Sequence, residues 1–448
     1  MEIPAASELE ISCLGGCERP SPLRGRRERF AGENRVLVAA ETDDLAPFLA
    51  GGGVGAIPAF EAAGPRREIF FEPDKLACGI VTCGGLCPGV NDVIRSLVLT
   101  LRHAYGARRV LGFRYGYAGL TAKGKRPADP TPLEPETVEN IHQQGGTMLG
   151  TSRGPQSVEE MVDQLMAWRL GILFTVGGDG TLRGAAEIAA EIARRELSIA
   201  VIAIPKTIDN DLVWTERTFG FSTAVEEART VIEAAHSEAR SAWNGVGLVK
   251  LMGRHAGFIA AHATLANGDV NFCLVPEVPF TFDGEGGLLD LLARRLEERR
   301  HAVVVVAEGA GQDLFAGDSE ERDASGNLKL LDVGVLLRQR IRSHFAELGV
   351  PACRGPVDVK YIDPSYTIRS QPANSLDSAF CLMLGQHAVH AGMAGRTAMM
   401  VGFWNHRFTH VPLALVAGRR KQLEPDGEIW QRVLGTTGQP ASMVGRQT

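Results

Sequence analysis

A chain of 448 residues, 44% apolar and 22% charged, has an ordinary globular composition and the length for two domains with substantial cores. Its formal charge of −6 offers no basic field for nucleic acid and no polybasic membrane anchor. No apolar run nears the ~18 residues of a membrane-spanning helix. An acidic chain can still bind phosphates by gathering Arg and Lys in one cleft. Eight cysteines lie scattered without a small-domain framework, so the cytosol is the expected compartment. The close pairs Cys13/Cys17 and Cys83/Cys87 have no accompanying His pair, so no zinc site is expected.

Residues 1–70 combine Gly51-Gly52-Gly53, several prolines and weak periodicity, and are read as a partly ordered N-terminal extension. Glu2, Glu8 and Glu10 are wrong for a secretory or mitochondrial leader. Arg24, Arg26, Arg27 and Arg29, interrupted by Glu28, read as a solvated loop. From Asp74 onward short apolar strands alternate with amphipathic helices. Strands are expected at 77–82, 109–113, 172–176, 200–204, 246–251, 271–275, 302–307 and 399–403. Helices are expected at 158–168, 182–195, 223–239 and 288–299. Val- and Ile-rich strands joined by helices predict parallel sheets, hence an α/β, doubly wound chain of two such units. Ligands then sit beyond the carboxyl ends of strands.

Three loops fall there. Val81–Gly89 (VTCGGLCPG) follows a strand and precedes a helix expected near Asn91. Its Gly84 and Gly85 let the backbone approach a ligand, and free amides at a helix start favour anions. In Thr175–Thr181 (TVGGDGT), glycines can cradle phosphates while Asp179 holds Mg²⁺, directly or through water. Such a Gly-Gly-Asp-Gly-Thr loop also occurs in families resembling NAD kinases and diacylglycerol-type lipid kinases, so alone it says only kinase. Ile204–Asp211 (IPKTIDND) carries two carboxylates at i, i+2. One can act as base while the other orients it or helps with a metal; Asp-Asn-Asp is also common turn chemistry.

Together these segments resemble the phosphofructokinase family from about Pro65 to the C-terminal region, with Thr207-Ile208-Asp209-Asn210-Asp211 the most diagnostic string. Gly145–Gly154 resembles the loop that brings an arginine, here Arg153, to the ATP phosphates. Met252-Gly253-Arg254 resembles the sugar-phosphate motif, Glu308 the sugar-binding glutamate, and Tyr366-Thr367-Ile368-Arg369 the C-terminal substrate segment. Arg67–Pro73, the loop Cys83–Gly89 and the long N-terminal extension are similar to the plant-type branch and its bacterial relatives. The phosphate pocket departs from the short bacterial enzymes: Gly245 replaces an arginine donated across a subunit interface, Lys360 another arginine, and Tyr366 a histidine.

The resemblance implies two phosphofructokinase-type domains: 71–221 plus about 370–425 for the nucleotide, and 222–369 plus the C-terminal segment for the sugar phosphate. It implies that Asp209 takes the proton of the sugar 1-hydroxyl, with Thr207 and Asp211 beside it, and that Asp179 holds Mg²⁺. Gly84, Gly85, Arg153, Gly154, Gly178, Gly180 and Thr181 would hold ATP. Met252, Gly253, Arg254 and Glu308, with Thr207, Ile208 and Asp209, would hold fructose 6-phosphate. Lys360, Tyr366, Thr367, Ile368 and Arg369 complete that set, and Arg153 and Arg254 would also offset charge developing in transfer.

Two positions bear on the donor. Gly180 leaves room for the α-phosphate of ATP, where pyrophosphate-dependent relatives carry an aspartate; Lys206 resembles the lysine those relatives use. Steric and like-charge exclusion is the sharper filter, which favours ATP over pyrophosphate. A NAD or lipid kinase has no reason to contain 207–211, 252–254 and 366–369, and a non-catalytic regulatory subunit would lose carboxylates that are present here. The resemblance also implies a homo-oligomer, dimer or tetramer. Trp404, Met399 and Met400 read as packing residues and His255 as a helix-start residue.

Overall fold

In a computed structural model, residues 3–446 are described apart from 27, 40, 53–56, 122–128, 316–320, 322–328 and 349–355. Arg27 and Gly53 therefore lie outside the described residues. The chain folds as two compact units. The first comprises Met1–Thr207, Leu212–Gly220 and Gln371–Arg420; the second comprises Ile208–Asp211, Phe221–Ser370 and Lys421–Thr448.

Along the chain the first unit begins with β1 (Arg19–Pro20), β2 (Arg35–Leu37), α1 (Thr42–Gly52), β3 (Ala59–Ala62) and β4 (Glu68–Ile69). It continues with β5 (Ala77–Thr82), α2 (Val90–Leu99), β6 (Arg109–Phe113), β7 (Thr131–Pro132) and α3 (Val158–Ala167). Then come β8 (Ile172–Gly177), α4 (Asp179–Arg194) and β9 (Ala200–Pro205). The second unit supplies α5 (Phe221–Ser241), β10 (Gly245–Leu251), α6 (Phe258–Asn267), β11 (Phe272–Leu274), α7 (Leu288–Arg299) and β12 (His301–Ala307). Its α8 (Val333–Glu347), β13 (Asp358–Ile362) and α9 (Ser365–Arg369) follow. The first unit resumes with α10 (Ser375–Met393), β14 (Met399–Trp404), β15 (Arg407–Pro412) and α11 (Leu413–Val416); α12 (Glu428–Thr437) belongs to the second.

The first unit carries a nine-stranded sheet in the order β2-β3-β15-β14-β9-β8-β5-β6-β7. Its centre, β14 through β6, is parallel, and the flanking pairs are antiparallel. Strands β5, β8 and β9 are buried throughout, as the continuous apolar runs of a sheet covered on both faces require. The chain leaves β5 toward β6 and returns on the other side as β8. The loops after β5 and β8 therefore flank a topological switch point, where an open α/β sheet presents a crevice.

The first 70 residues are more than an appendage. Leu9, Leu23, Val36 and Phe60 are buried, and β2 and β3 extend the large sheet. Glu61 fixes that edge: its Oε1 accepts from Arg66 at 2.7 Å, Arg396 at 2.9 Å and His410 at 3.1 Å. Arg24 pairs with Glu68 at 3.2 Å and Arg26 donates to the His103 carbonyl at 2.7 Å, so these two arginines are tied into the fold.

The second unit has a four-stranded, all-parallel sheet in the order β11-β12-β10-β13. Leu251 pairs with Ala307 and Val249 with Ile362, so β10, β12 and β13 end side by side. Two apolar layers cover it, one including Phe221, Ile232, Met252 and Ile259, the other Leu288, Leu292, Val333 and Leu337. Among the described residues, no helix is long and apolar enough to cross a membrane.

Candidate active site

In the first unit the loops after β5 and β8, the 145–154 loop and the end of β9 meet at the switch point. The Cys83 amide donates to Val176 at 2.9 Å and the Gly84 amide to the Ser152 carbonyl at 3.1 Å. Oγ1 of Thr151 donates to the Gly84 carbonyl at 2.6 Å, and Oγ1 of Thr82 to the Gly150 carbonyl at 2.7 Å. The 145–154 loop is thereby stitched to the end of β5 and the loop after it through Gly150, Thr151 and Ser152, the residues just before Arg153. Gly84 has φ +86°, a left-handed conformation that favours glycine.

Lys206 follows β9. Its amide donates to the Gly177 carbonyl at 2.9 Å, and its ammonium reaches across to the Gly85 carbonyl at 2.8 Å. A Cβ on Gly177 would collide with the Thr181 side chain at 2.1 Å, so the close seating of Thr181 at the start of α4 demands glycine. The Thr181 carbonyl accepts from the Tyr117 hydroxyl at 2.7 Å. At Gly180, by contrast, a Cβ would meet nothing within 4 Å.

Asp179 opens α4. Its Oδ1 accepts the Gly418 amide at 2.8 Å, and its Oδ2 stands 3.0 Å from Arg183 and 3.5 Å from Arg420. Mg²⁺ binds through one or two carboxylates plus substrate phosphates, so a lone aspartate beside a phosphate loop fits it. Binding would exchange the arginine contacts for the ion. Thr207, whose carbonyl accepts from Thr218 at 2.7 Å, ends this part of the first unit.

Cys83 and Cys87 are both buried, and burial pushes the Cys83 thiol up to about 12, the neighbouring Lys206 and hydrogen bonds countering. Cys83 is therefore a small space-filling residue and no nucleophile. Trp404 packs at 5.7 Å from Trp214 and 6.4 Å from Phe60, its Nε1 donating to Val38. Met399 and Met400 are fully buried.

The second unit gathers a different chemistry. Ile208 packs on its core, Asp209 follows, and Asn210 takes φ +55°, a left-handed turn that asparagine tolerates. The Asp211 carbonyl accepts the Lys421 amide at 2.9 Å. Met252 is buried, and Gly253 has φ +126° in the turn that carries Arg254 away from β10. The Glu308 amide donates to Leu251 at 2.9 Å and the Gly309 amide to Gly253 at 3.1 Å, locking the ends of β10 and β12 together.

Glu308 is the electrostatic centre of this cluster. Burial raises its carboxyl above the usual range, while Lys250, Arg254 and Arg369 pull it back down. Arg369 lies 4.4 Å over the ring of Tyr366, which is 75% exposed. Thr367 is exposed and Ile368 buried, so α9 is anchored by Ile368 and presents the other three.

Lys360 stands elsewhere. It pairs with Gly247 in mid-strand, two residues short of the end of β13, and its ammonium is 3.0 Å from Asp358. With Glu238, Ser241, Trp243 and Asp358 it lines a groove of about 580 Å³ near Gly245, at the amino end of β10. Glu308 and Arg369 follow the opposite, carboxyl ends of these strands.

Four residues that sequence reasoning passed over, Lys250, Asp332, Asp363 and Glu277, support the cluster. Lys250 bridges Asp332 at 3.0 Å and Asp363 at 2.9 Å. Burial opposes the charge on Asp363, but hydrogen bonds from Ser365 and Lys250 outweigh it and hold that carboxyl below its ordinary range. Glu277 accepts the Gly257 amide with both oxygens, at 2.9 and 3.1 Å, and the Leu423 amide at 2.8 Å, seating the loop beyond Arg254 and His255. The signals were present: a lysine inside an otherwise apolar strand, and acidic residues just past strand ends.

The family model described as Phosphofructokinase matches residues 77–392. The chain belongs to the phosphofructokinase family. An ATP-dependent 6-phosphofructokinase of Amycolatopsis methanolica is 47% identical over 97% of this chain and 95% of its own. One from Borreliella burgdorferi is 47% identical over 86% of each chain. ATP-dependent 6-phosphofructokinase 1 of Arabidopsis thaliana is 47% identical over 86% of this chain and 80% of its own. Among solved structures, a pyrophosphate-dependent phosphofructokinase from Marinobacter aquaeolei superposes with a TM-score of 0.65. It shares 20% identity and covers 83% of this chain and 92% of its own. Pichia pastoris phosphofructokinase gives a TM-score of 0.61 at 21% identity, over 84% of this chain and 40% of its own. At such identities the structures establish the fold, the two-unit α/β architecture common to phosphofructokinases.

Proposed function

We propose that this phosphofructokinase transfers the γ-phosphoryl group of ATP to the 1-hydroxyl of fructose 6-phosphate. The observation that carries the reading is the open space beside Gly180 at the start of α4, within a chain 47% identical end to end to a relative named ATP-dependent. An aspartate there would put like charge against a nucleotide phosphate; glycine leaves both space and amide exposed.

The glycines of 84–85 and 178–180, with Thr181 and Arg153, would bind the nucleotide phosphates. Mg²⁺, when bound beside Asp179, supplies charge neutralisation of the donor phosphates. Asp209 would take the proton of the attacking hydroxyl, and Thr207 and Asp211 would orient it. Glu308 would accept hydrogen bonds from sugar hydroxyls, and Arg254 and Arg369 would hold the acceptor's phosphate. Phosphoryl transfer needs positioning and charge stabilisation more than covalent chemistry, and these residues supply both. A cytosolic homo-oligomer belongs to the same proposal.

Replacing Asp209 by Asn tests the assignment. The variant should bind both substrates while kcat falls at least about a hundredfold, the usual range for a lost general base. An unchanged kcat would remove Asp209 from the role.

A further inference from the structure

Two imidazoles in the second unit meet at the amino end of β12, away from the loops that follow the sheet's carboxyl ends. His236 lies on α5 and His301 opens β12. Nδ1 of His301 donates to the Arg299 carbonyl at 3.0 Å. Nδ1 of His236 stands 3.2 Å from Oδ2 of Asp269. The Arg299 carbonyl only accepts, so a neutral His301 keeps its proton on Nδ1 and a lone pair on Nε2, and Asp269 lies near enough to draw the His236 proton to the same side. The two Nε2 atoms face each other at 3.4 Å. Lone pairs so placed would repel, and either a proton or a metal cation between them removes the conflict.

The separations fit such a cation. Two imidazoles held at about 2.1 Å by a tetrahedral ion have nitrogens about 3.4 Å apart and ring centres about 5.3 Å apart. The ring centres here are 5.3 Å apart, with planes inclined by 26°. That spacing and inclination are also those of an offset stack, in which the two Nε2 atoms approach to 3.4 Å.

We infer that His236 and His301 form a binding site for a divalent transition-metal ion of the zinc, nickel or copper type. Asp269 and the Arg299 carbonyl hold the rings in the ligating tautomer, the outer contacts that metal-binding histidines ordinarily have. Imidazole nitrogen suits these ions, whereas Mg²⁺ takes oxygen ligands; this ion is distinct from the one that accompanies ATP. Among the described residues no cluster of three or more His, Cys, Asp or Glu forms a metal cage. The remaining positions fall to water, and the ion is exchangeable. Burial, with Arg295, His236 and Arg240, holds His301 below the usual imidazole range against the Arg299 carbonyl. The same arginines weaken the pull on a metal ion. An ion at this point joins α5 to β12, so the stability of the unit rises with its concentration.

The test is calorimetric titration of Ni²⁺ into the full chain in excess Mg²⁺, beside His236→Gln and His301→Gln, with thermal unfolding of each. The wild type should take up one saturable equivalent and gain thermal stability; either Gln variant should lose both effects. Asp269→Asn should keep the site with affinity about tenfold lower. Absence of thiolate-to-metal charge-transfer absorption separates this site from Cys13 and Cys17. Binding that survives both Gln substitutions overturns the inference, as does no saturable uptake at millimolar Ni²⁺. If a Gln variant fails to fold, unchanged affinity in Asp269→Asn together with no Ni²⁺-dependent stabilisation of the wild type overturns it equally.

Discussion

The ammonium of Lys206 donates to the carbonyl of Gly85 across 2.8 Å, tying the strand end that leads into Thr207–Asp211 to the glycine loop after β5. Lys206 is 7% exposed, so this is a buried cation serving one loop from another. The lysine is thus compatible with a nucleotide donor, because it braces the glycine loop after β5 from within.

Replacing Lys206 by Met should therefore loosen residues 83–86. Hydrogen bonds to charged groups contribute about 1.5–3 kcal/mol, so kcat/KM for the phosphoryl donor should fall by about tenfold to a hundredfold. Steady-state kinetics at saturating sugar phosphate checks this. No change in kcat/KM would mean that the contact is incidental.

Gly180→Asp separates folding from donor choice. A side chain at this position meets open space, and an acidic residue in the first turn of a helix is favoured by its dipole, by about 0.3–1 kcal/mol. The variant should keep its thermal stability while kcat/KM for ATP falls at least about a hundredfold, equivalent to ~3 kcal/mol of like-charge and steric cost. Pyrophosphate turnover, measured in parallel, should not fall with it. Equal ATP activity in variant and parent would show that Gly180 does not discriminate donors.

Glu308 gives a pH signature. Its carboxyl is raised by burial against the pull of Lys250, Arg254 and Arg369. A raised folded-state value means that the group's contribution to stability is full below its unfolded value, about 4.3. That contribution is lost as pH rises through the folded value. At neutral pH the carboxylate is therefore held at a cost, which sugar hydroxyls would relieve. Glu308→Gln should leave neutral-pH stability equal or higher and raise KM for fructose 6-phosphate by about tenfold, one lost charged hydrogen bond. It should also abolish the rise in KM expected of the parent on the acid side. A parent KM that is flat down to ordinary carboxyl values would contradict the role.

The strands that sequence exposed, β5, β6, β8, β9, β10, β11, β12 and β14, are mostly buried runs rich in Val, Ile, Leu and Ala, with the site loops following several of them. Composition and position coincide there, so both the strands and the site loops could be read. β2, β3 and β15, on one side of the sheet, were missed because they carry Arg35, Glu61, Thr409 and His410 among their apolar residues, and β2 and β3, at three and four residues, set no period. The Glu61 cluster that joins β3 to Arg396 and His410 spans 349 residues and leaves no local trace. The assignment of Ile208–Asp211 to the second unit, while Thr207 and Leu212 belong to the first, likewise depends on packing that contiguous reading cannot reveal. Lys360 shows the converse: a resemblance grouped it with Arg369, and the register of β13 puts it in mid-strand beside Asp358.

The most direct test is aldolase-coupled turnover of fructose 6-phosphate with Mg²⁺, supplying ATP and pyrophosphate separately to the full chain. Turnover with ATP, and little or none with pyrophosphate, is the predicted result, because aldolase cleaves only a product phosphorylated at the 1-position. Turnover with pyrophosphate alone would contradict the weight placed on Gly180, and turnover with neither would contradict the assignment of fructose 6-phosphate itself.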